Sequence, residues 1–551
     1  MDYGTGNINY IIPDNGIQLR YNNVLSSQNF RSQLNFNKHW NRNYVLAMAG
    51  FEIREIDNKG YNSALYGYNS DPLTTSNVDY VTQYPTLPYG NTSSIPGAPF
   101  LSNTTLRYVS AYSNVSYIFN NRYSLSGSVR KDGANIFGVN TNDKWKPLWS
   151  AGAGWEVSRE EFYHLKLMPY LRIRATYGFS GNIDPSKSAL PIANYFNDPT
   201  TNLPYTRIQT LNNPDLRWEQ SRQTNIAADF KTHHDVFNGT IEFYWKKGTD
   251  LYGLTNYDYT TWGYAQQITK NVASMSGKGV DLILESKIIN KKFKWTTRLL
   301  FNYNQSKVTK YFTDDALNGS SLIGTSGVTI TPVVGKPLYA IAAYKWEGLN
   351  NQGDPQGLLD GKKSTDYQSI ISGTYTKGIK NNESVVFIGS ATPVVFGSFI
   401  NSFSWKKFSA TVNISYKLGY YFKKSNLSYS NLFYNGTTTA DFSNRWQKPG
   451  DENKTNIPSL VYTDYPQFSS RDQFFSGAEI NMLKADNIRL QYLDFNYQVK
   501  EPTDKSFGLR IYANISNLGI LWRANKEHID PDYPGSIPAP KTYSIGLQAT
   551  F

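Results

Sequence analysis

The sequence predicts an all-β fold, a transmembrane antiparallel β-barrel with short periplasmic turns and long extracellular loops. Three observations carry this. Apolar and polar residues alternate with a period of two along most of the chain, as strands do when one face is wet and the other is not. Tight polar connections such as Asn41-Arg42-Asn43 alternate with long segments rich in Gly, Asn, Ser, Pro and Tyr, the layout of barrel strands joined differently at their two ends. No uninterrupted apolar run approaches the roughly 18 residues of a membrane helix. Yet aromatic residues make up 15% of the 551-residue chain while hydrophobic residues reach only 39%. Such a chain is too aromatic for disorder and too polar for a set of soluble domains with deep aliphatic cores.

Each element supports the same reading in turn. In residues 27–40, Phe30, Leu34, Phe36 and Trp40 share a face while Asn29, Arg31, Gln33, Asn35 and Asn37 share the other. Leu171, Ile173, Ala175, Tyr177 and Phe179 repeat the pattern against Arg172 and Arg174, and Phe408, Ala410, Val412, Ile414 and Tyr416 against Ser409, Thr411, Asn413 and Ser415. Asn120-Asn121-Arg122, Asn290-Lys291-Lys292 and Lys406-Lys407 read as hairpin turns, because connections this short force antiparallel pairing. The loops are residues 55–105, 181–219, 347–392 and 419–480. The chain closes on Tyr543, Ile545, Leu547, Ala549 and Phe551, all on one face, which suits a terminal barrel strand. A β-sandwich array also alternates, but its inward face would be aliphatic, whereas here Tyr, Phe and Trp recur near strand ends, as interfacial girdles require. About 15–17 strands are expected, each needing about 9–11 residues to cross the lipid. Strand directions alternate on either side of residues 347–394 but do not join across them. Either a strand lies hidden there, or residues 337–346 do not belong to the wall.

Several segments then resemble the SusC/RagA family of TonB-linked outer-membrane transporters. They include Arg130-Lys131-Asp132-Gly133 with Phe137-Gly138, Leu148-Trp149-Ser150 with Trp155 and Glu161-Phe162, and Asn213-Pro214-Asp215-Leu216 with Trp218-Glu219. Asn271 to Asp281, Gly389 to Pro393, Arg445-Trp446 with Pro449-Gly450-Asp451, Asp486 with Arg489-Leu490, and Asp530-Pro531-Asp532 follow in the family order. The resemblance implies residues 1–551 to be the C-terminal barrel portion of a plugged barrel of roughly 22 strands, with the plug domain absent. It implies an outer-membrane, TonB-dependent importer of oligosaccharides or peptides, served by a SusD-like surface lipoprotein and by TonB acting through the missing N-terminal part. No enzyme and no cofactor are implied. Other readings stay open: a truncated barrel acting as an ungated pore or inactive, or a glycan-binding β protein.

Candidate site residues fall in two groups. Arg31, Arg172, Arg174, Asp229, Glu242, Asp281 and Arg298 are expected to face the lumen, lining a solute path, holding a plug, or simply hydrated. Tyr61, Tyr66 and Tyr68, with Tyr257, Tyr259, Trp262 and Tyr264, are expected to contact solute or partner, because exposed flat rings suit sugars and protein interfaces alike; self-packing of a loop is the rival account. The absence of cysteine excludes disulfides, thiolate nucleophiles and cysteine metal sites. No metal site is expected, since His233 and His234 should point apart on strand-like backbone. Asn350 to Asp354 reads as a turn rather than a calcium loop. The net charge of +12 is scattered through turns, so outer-membrane lipid headgroups, not nucleic acid, are the expected partner.

Overall fold

The computed structural model describes residues 11–86, 92–136, 146–198, 200–201, 203–256, 267–311, 317–324, 326–328, 332–375, 384–501 and 507–550. Fifteen strands form one antiparallel path in which every strand pairs with its sequence neighbours. They are β1 (Gly16–Trp40), β2 (Asn43–Ser70), β3 (Phe100–Phe119), β4 (Tyr123–Ala134), β5 (Lys146–Trp155), β6 (Tyr170–Asn182), β7 (Glu219–Lys231) and β8 (Phe237–Asn256). After them come β9 (Gln267–Asn290), β10 (Phe293–Tyr311), β11 (Val395–Trp405), β12 (Phe408–Leu418), β13 (Asn487–Lys500), β14 (Gly508–Arg523) and β15 (Thr542–Thr550). A short strand, Leu73–Ser76, folds back on β2. Among the described residues nothing pairs with the outer edges of β1 and β15.

The cross-strand register turns the alternation into two continuous faces. Ile173 lies opposite Ala228, then Ile241, Leu282, Phe301, Gly397 and Tyr416, an apolar row spanning seven strands. One pleat away, Arg174 lies opposite Ala227, Glu242, Asp281 and Asn302. On the apolar face large side chains stand open even in mid-wall, with Phe399 40% and Trp245 47% exposed. In water that face would be an unpaired hydrophobic surface; in lipid it is solvated.

Several strands far exceed the length needed to cross a bilayer. With 28 residues, β2 spans roughly 90 Å at about 3.3 Å per residue, so its ladder continues well beyond the lipid at the loop end. The direction of the chain between the two halves is settled here: β10 pairs directly with β11. Residues 340–344, read as a possible wall strand, instead pair with Val385–Ser390 in a separate two-stranded sheet and are all buried.

That small sheet belongs to a compact core that lies outside the wall. The β10–β11 and β12–β13 loops fold against each other around helices α1 (Tyr367–Ser372), α2 (Tyr429–Asn435) and α3 (Phe468–Ser476). Tyr344, Tyr367, Ile370, Ile371 and Phe474 form one cluster, and Leu427, Tyr429, Val461, Phe468 and Phe475 another. Local chemistry frames the helices: Asp366 caps α1 by accepting from Ser369 N, Ser428 caps α2 from Asn431 N, and Gly436 closes α2 in the left-handed region.

Candidate functional site

Seven sequence-predicted polar residues share the face opposite the apolar rows. Arg174 sits directly across from Ala227, yet its guanidinium reaches diagonally to Asp229 at 2.7 and 3.1 Å, the reach expected of a long side chain to the i, j±2 neighbour. Thr240 donates to the same carboxylate at 2.8 Å, and Glu242 lies 4.0 Å from Arg174. Glu242 and Asp281 face each other across β8 and β9, a like-charge pair that a nearby arginine offsets. Arg172 pairs with Glu156 at 3.3 Å, and Arg298 donates to Glu285 at 2.6 Å. Arg31 donates to the Tyr112 hydroxyl at 2.6 Å and lies over its ring at 5.1 Å. Gly50 makes room for that ring, since a Cβ there would collide with the Tyr112 hydroxyl.

The aromatic group divides. Tyr61 is exposed and Tyr68 half-buried, but Tyr66 is 3% exposed and donates its hydroxyl to Pro96 O at 2.8 Å. Its ring packs with Ala64, Ile95 and Tyr80, so it faces the core of its own loop. Tyr257, Tyr259, Trp262 and Tyr264 lie outside the described residues, as do Phe137, Gly138 and Phe551.

What sequence reasoning missed is a cavity of about 810 Å³ among the folded loops, lined by residues of the β10–β11, β12–β13 and β14–β15 loops. Hydroxyls and amides from Ser425, Asn426, Ser428, Ser430, Asn431, Ser469, Gln473 and Ser476, with Lys423, Lys424 and Asp472, share the lining with apolar Val328, Ile341, Ala391, Phe422 and Pro534. Lys423 donates to Ser476 Oγ at 2.9 Å, and burial pushes its ammonium below the usual lysine range. Lys424 pairs with Glu527 at 2.9 Å. Asp472 accepts from Ser428 Oγ at 2.7 Å and from Tyr429 N at 2.8 Å. No periodic signal marks these residues; the only sequence hint is their density of small polar side chains.

The loops are latched to one another and to the wall by polar contacts. Arg471, 2% exposed, donates through Nε to Asp354 Oδ1 at 2.9 Å and through Nη2 to Gly353 O and to Ser459 O and Oγ. The Asn350 to Asp354 segment is a turn, with Asn350 Oδ1 accepting from Gln352 N and Asp354 N. Several of the recognised motifs are such latches. Arg489 on β13 pairs with Asp530 at 2.6 Å and Asp532 at 3.2 Å. Asn213 donates to Thr269 O at 2.7 Å beside buried Leu216 and Trp218. Arg130 instead braces the wall itself, holding Asp132 on its own strand β4 at 2.6 Å and Ser110 on β3 at 2.8 Å. One expectation is corrected: the His233 and His234 rings do not point apart but lie with centroids 3.8 Å apart. The turn backbone is not extended there, since His234 has φ of 57°.

With that geometry in view, residues 2–382 match the family model described as TonB dependent receptor-like, beta-barrel. The chain belongs to this family. It is an outer-membrane protein. TonB-dependent receptor P39 of Formosa agariphila is 24% identical over 561 residues, covering 93% of this chain and 50% of the relative. TonB-dependent receptor SusC of Bacteroides thetaiotaomicron is 25% identical over 465 residues, covering 80% and 44%. The chain thus spans about half the length of the curated relatives it matches. Among solved structures, the RagAB peptide importer in its "closed-closed" state superposes with a TM-score of 0.74 at 22% identity, covering 97% of this chain and 56% of that one. The expected kinship with SusC/RagA transporters and the all-β barrel class are both borne out.

Proposed function

We propose that this chain forms the C-terminal wall and loop cap of an outer-membrane, TonB-dependent importer of the SusC type. The solute is an oligosaccharide or peptide, brought by a SusD-like lipoprotein seated on the loops. The polar face carrying Arg31, Arg172, Arg174, Asp229, Glu242, Asp281 and Arg298 lines the lumen, and TonB acts through a plug carried by the rest of the protein. The observation that carries this reading is the cavity of about 810 Å³ in the loop cap. Its polar lining offers donors and acceptors to hydroxylated or amide-bearing solutes, and the Asp472–Ser428 pair within it is engaged in framing the start of α2. The exposed hairpin Ile192–Asn197 and Pro204–Thr210, where Phe196 stacks on Tyr205 at 5.6 Å and Tyr195 is 84% exposed, offers the lipoprotein an apolar contact.

The test is uptake by cells carrying the full-length protein with Ser430→Leu and Ser469→Leu, which narrow the cavity while leaving the Ser428 cap and the Lys423–Ser476 contact in place. Uptake of the cognate solute is expected to fall while surface amount stays constant. Undiminished uptake would remove the cavity from the solute path. A second reading, a wall that is leaky or inactive by itself, is favoured by the edges of β1 and β15, which pair with nothing among the described residues, since unpaired backbone is costly in lipid. Heat-modifiable migration of the 551-residue chain beside the full-length protein separates the two.

A further inference from the structure

We infer that the turn end of the wall holds a binding site for one anionic glycerophospholipid of the periplasmic leaflet, across strands β11–β14. This site is independent of the transported solute and needs only that the wall stands in a bilayer. A groove of about 390 Å³ opens here. Two adjacent cross-strand rows make it. Phe403, Ala410, Phe495 and Ala513 lie opposite one another in sequence, and nearer the turn so do Trp405, Phe408, Tyr497 and Ile511.

The parity of both rows places them on the apolar, lipid-facing side, since each is in register with the open apolar row through Phe301 and Gly397. Alanine alternating with phenylalanine sinks the floor between aromatic walls. Phe408 and Tyr497 pack at 4.6 Å and Phe293 stacks on Phe403 at 6.2 Å, so the walls are braced from both sides. A slot this apolar accepts a hydrocarbon chain and offers almost nothing to a polar ligand.

The rim supplies the second half of the site. The β11–β12 turn is Lys406-Lys407, both exposed. Lys406 holds its ammonium 5.0 Å from the Trp405 ring centroid, and Lys407 donates to Val499 O at 2.8 Å. Lys500, at the end of β13, stands in register with Leu509 and is exposed, and the neighbouring β9–β10 turn adds Lys291 and Lys292. Among the described residues of the β13–β14 connection, Glu501 is the acidic one beside them. Elsewhere at this end the connections are mixed: Glu160 pairs with Arg122 at 3.1 Å near Glu156, Glu161 and Arg159, and Asp235 pairs with Lys287 at 3.4 Å. A cationic rim beside an aromatic, apolar groove is complementary to a phosphodiester on a fatty chain. A zwitterionic lipid would bring its own cation against the lysines.

Native mass spectrometry of the full-length protein, released from micelles containing phosphatidylglycerol or phosphatidylcholine in equal amounts, tests this. The wild type is expected to retain one phosphatidylglycerol in preference to phosphatidylcholine. Lys406→Gln with Lys407→Gln should weaken phosphatidylglycerol retention about fivefold for each lysine removed and leave phosphatidylcholine retention unchanged. Ala410→Phe, which fills the groove floor, should lower retention of both, with compact gel migration confirming that the wall still folds. Equal retention of the two lipids by the wild type, or unchanged retention in the lysine variant, overturns the site. Loss of both lipids alike in the lysine variant would also overturn it, because the lysines would then shape the groove and not read the phosphate.

Discussion

Replacing Asp354 by Asn isolates the contact that ties the two large loops together. In the intact loop cap the Asp354 carboxylate takes Arg471 Nε on one oxygen at 2.9 Å and the Tyr465 hydroxyl on the other at 2.9 Å. The guanidinium is 2% and the carboxylate 7% exposed. Removing the negative charge strands a buried guanidinium whose remaining partners, Gly353 O and Ser459, are neutral. Breaking a buried pair by removing one partner costs about 3–5 kcal/mol, so local opening of the cap should become roughly 10²- to 4 × 10³-fold more frequent at about 1.4 kcal/mol per tenfold. Amide hydrogen exchange of the full-length protein reads this in α3 and in residues 340–344, with β9 and β10 as internal controls whose protection should hold. Arg471→Met with Asp354→Leu removes both charges and should regain much of the loss, since apolar replacement of a buried pair is often neutral. If Asp354→Asn leaves the protection of α3 unchanged, or if the double variant opens as far as the single one, the charge argument is wrong and the cap is held by its aromatic clusters alone.

Three further outcomes are expected. Arg174→Ala or Asp229→Ala, at a pair 34% and 22% exposed, should shift the midpoint of heat-modifiable migration by less than about 1 kcal/mol; a larger loss would mean the polar face is dry. Gly397→Val should prevent compact migration altogether, because a Cβ at that position collides with Leu300 O across β10 and a strand pair cannot widen locally without losing its ladder. Burial raises the Tyr344 and Tyr429 hydroxyls to about 12, above the unfolded value near 10. Stability from each is therefore full below pH about 10 and falls by about 1.4 kcal/mol per pH unit as pH rises toward the folded value. Tyrosinate absorbance and loop-cap proteolysis followed together across that window should change in step, and a cap that resists proteolysis throughout it would refute the assignment.

Much of the wall is legible in the alternation of residue types alone. A strand's side chains alternate by covalent geometry, so the parity of Phe30, Ile173 or Phe408 sorts lipid-facing from polar residues. Arg31, Arg172, Arg174, Asp229, Glu242, Asp281 and Arg298 share the face that parity assigns to them. Hairpin turns such as Lys406-Lys407 are equally readable, because so few residues can only join antiparallel neighbours.

The loop cap is not readable in this way. The run Ala340–Tyr344 has the apolar, β-prone composition of a wall strand, and nothing within it says that its partner is Val385–Ser390. Pairing there depends on residues far apart in the chain meeting around Tyr367 and Phe474. Tyr66 likewise reads as an exposed loop ring until Ile95 and Tyr80 close over it. Sequence by itself determined the barrel class and the facing of its strands, since both follow from a local period of two. Tertiary structure alone decided which loop segments pair, where Arg471 finds its acid, and where the polar cavity opens. Those outcomes arise from non-local packing, for which a single sequence carries no periodic signal.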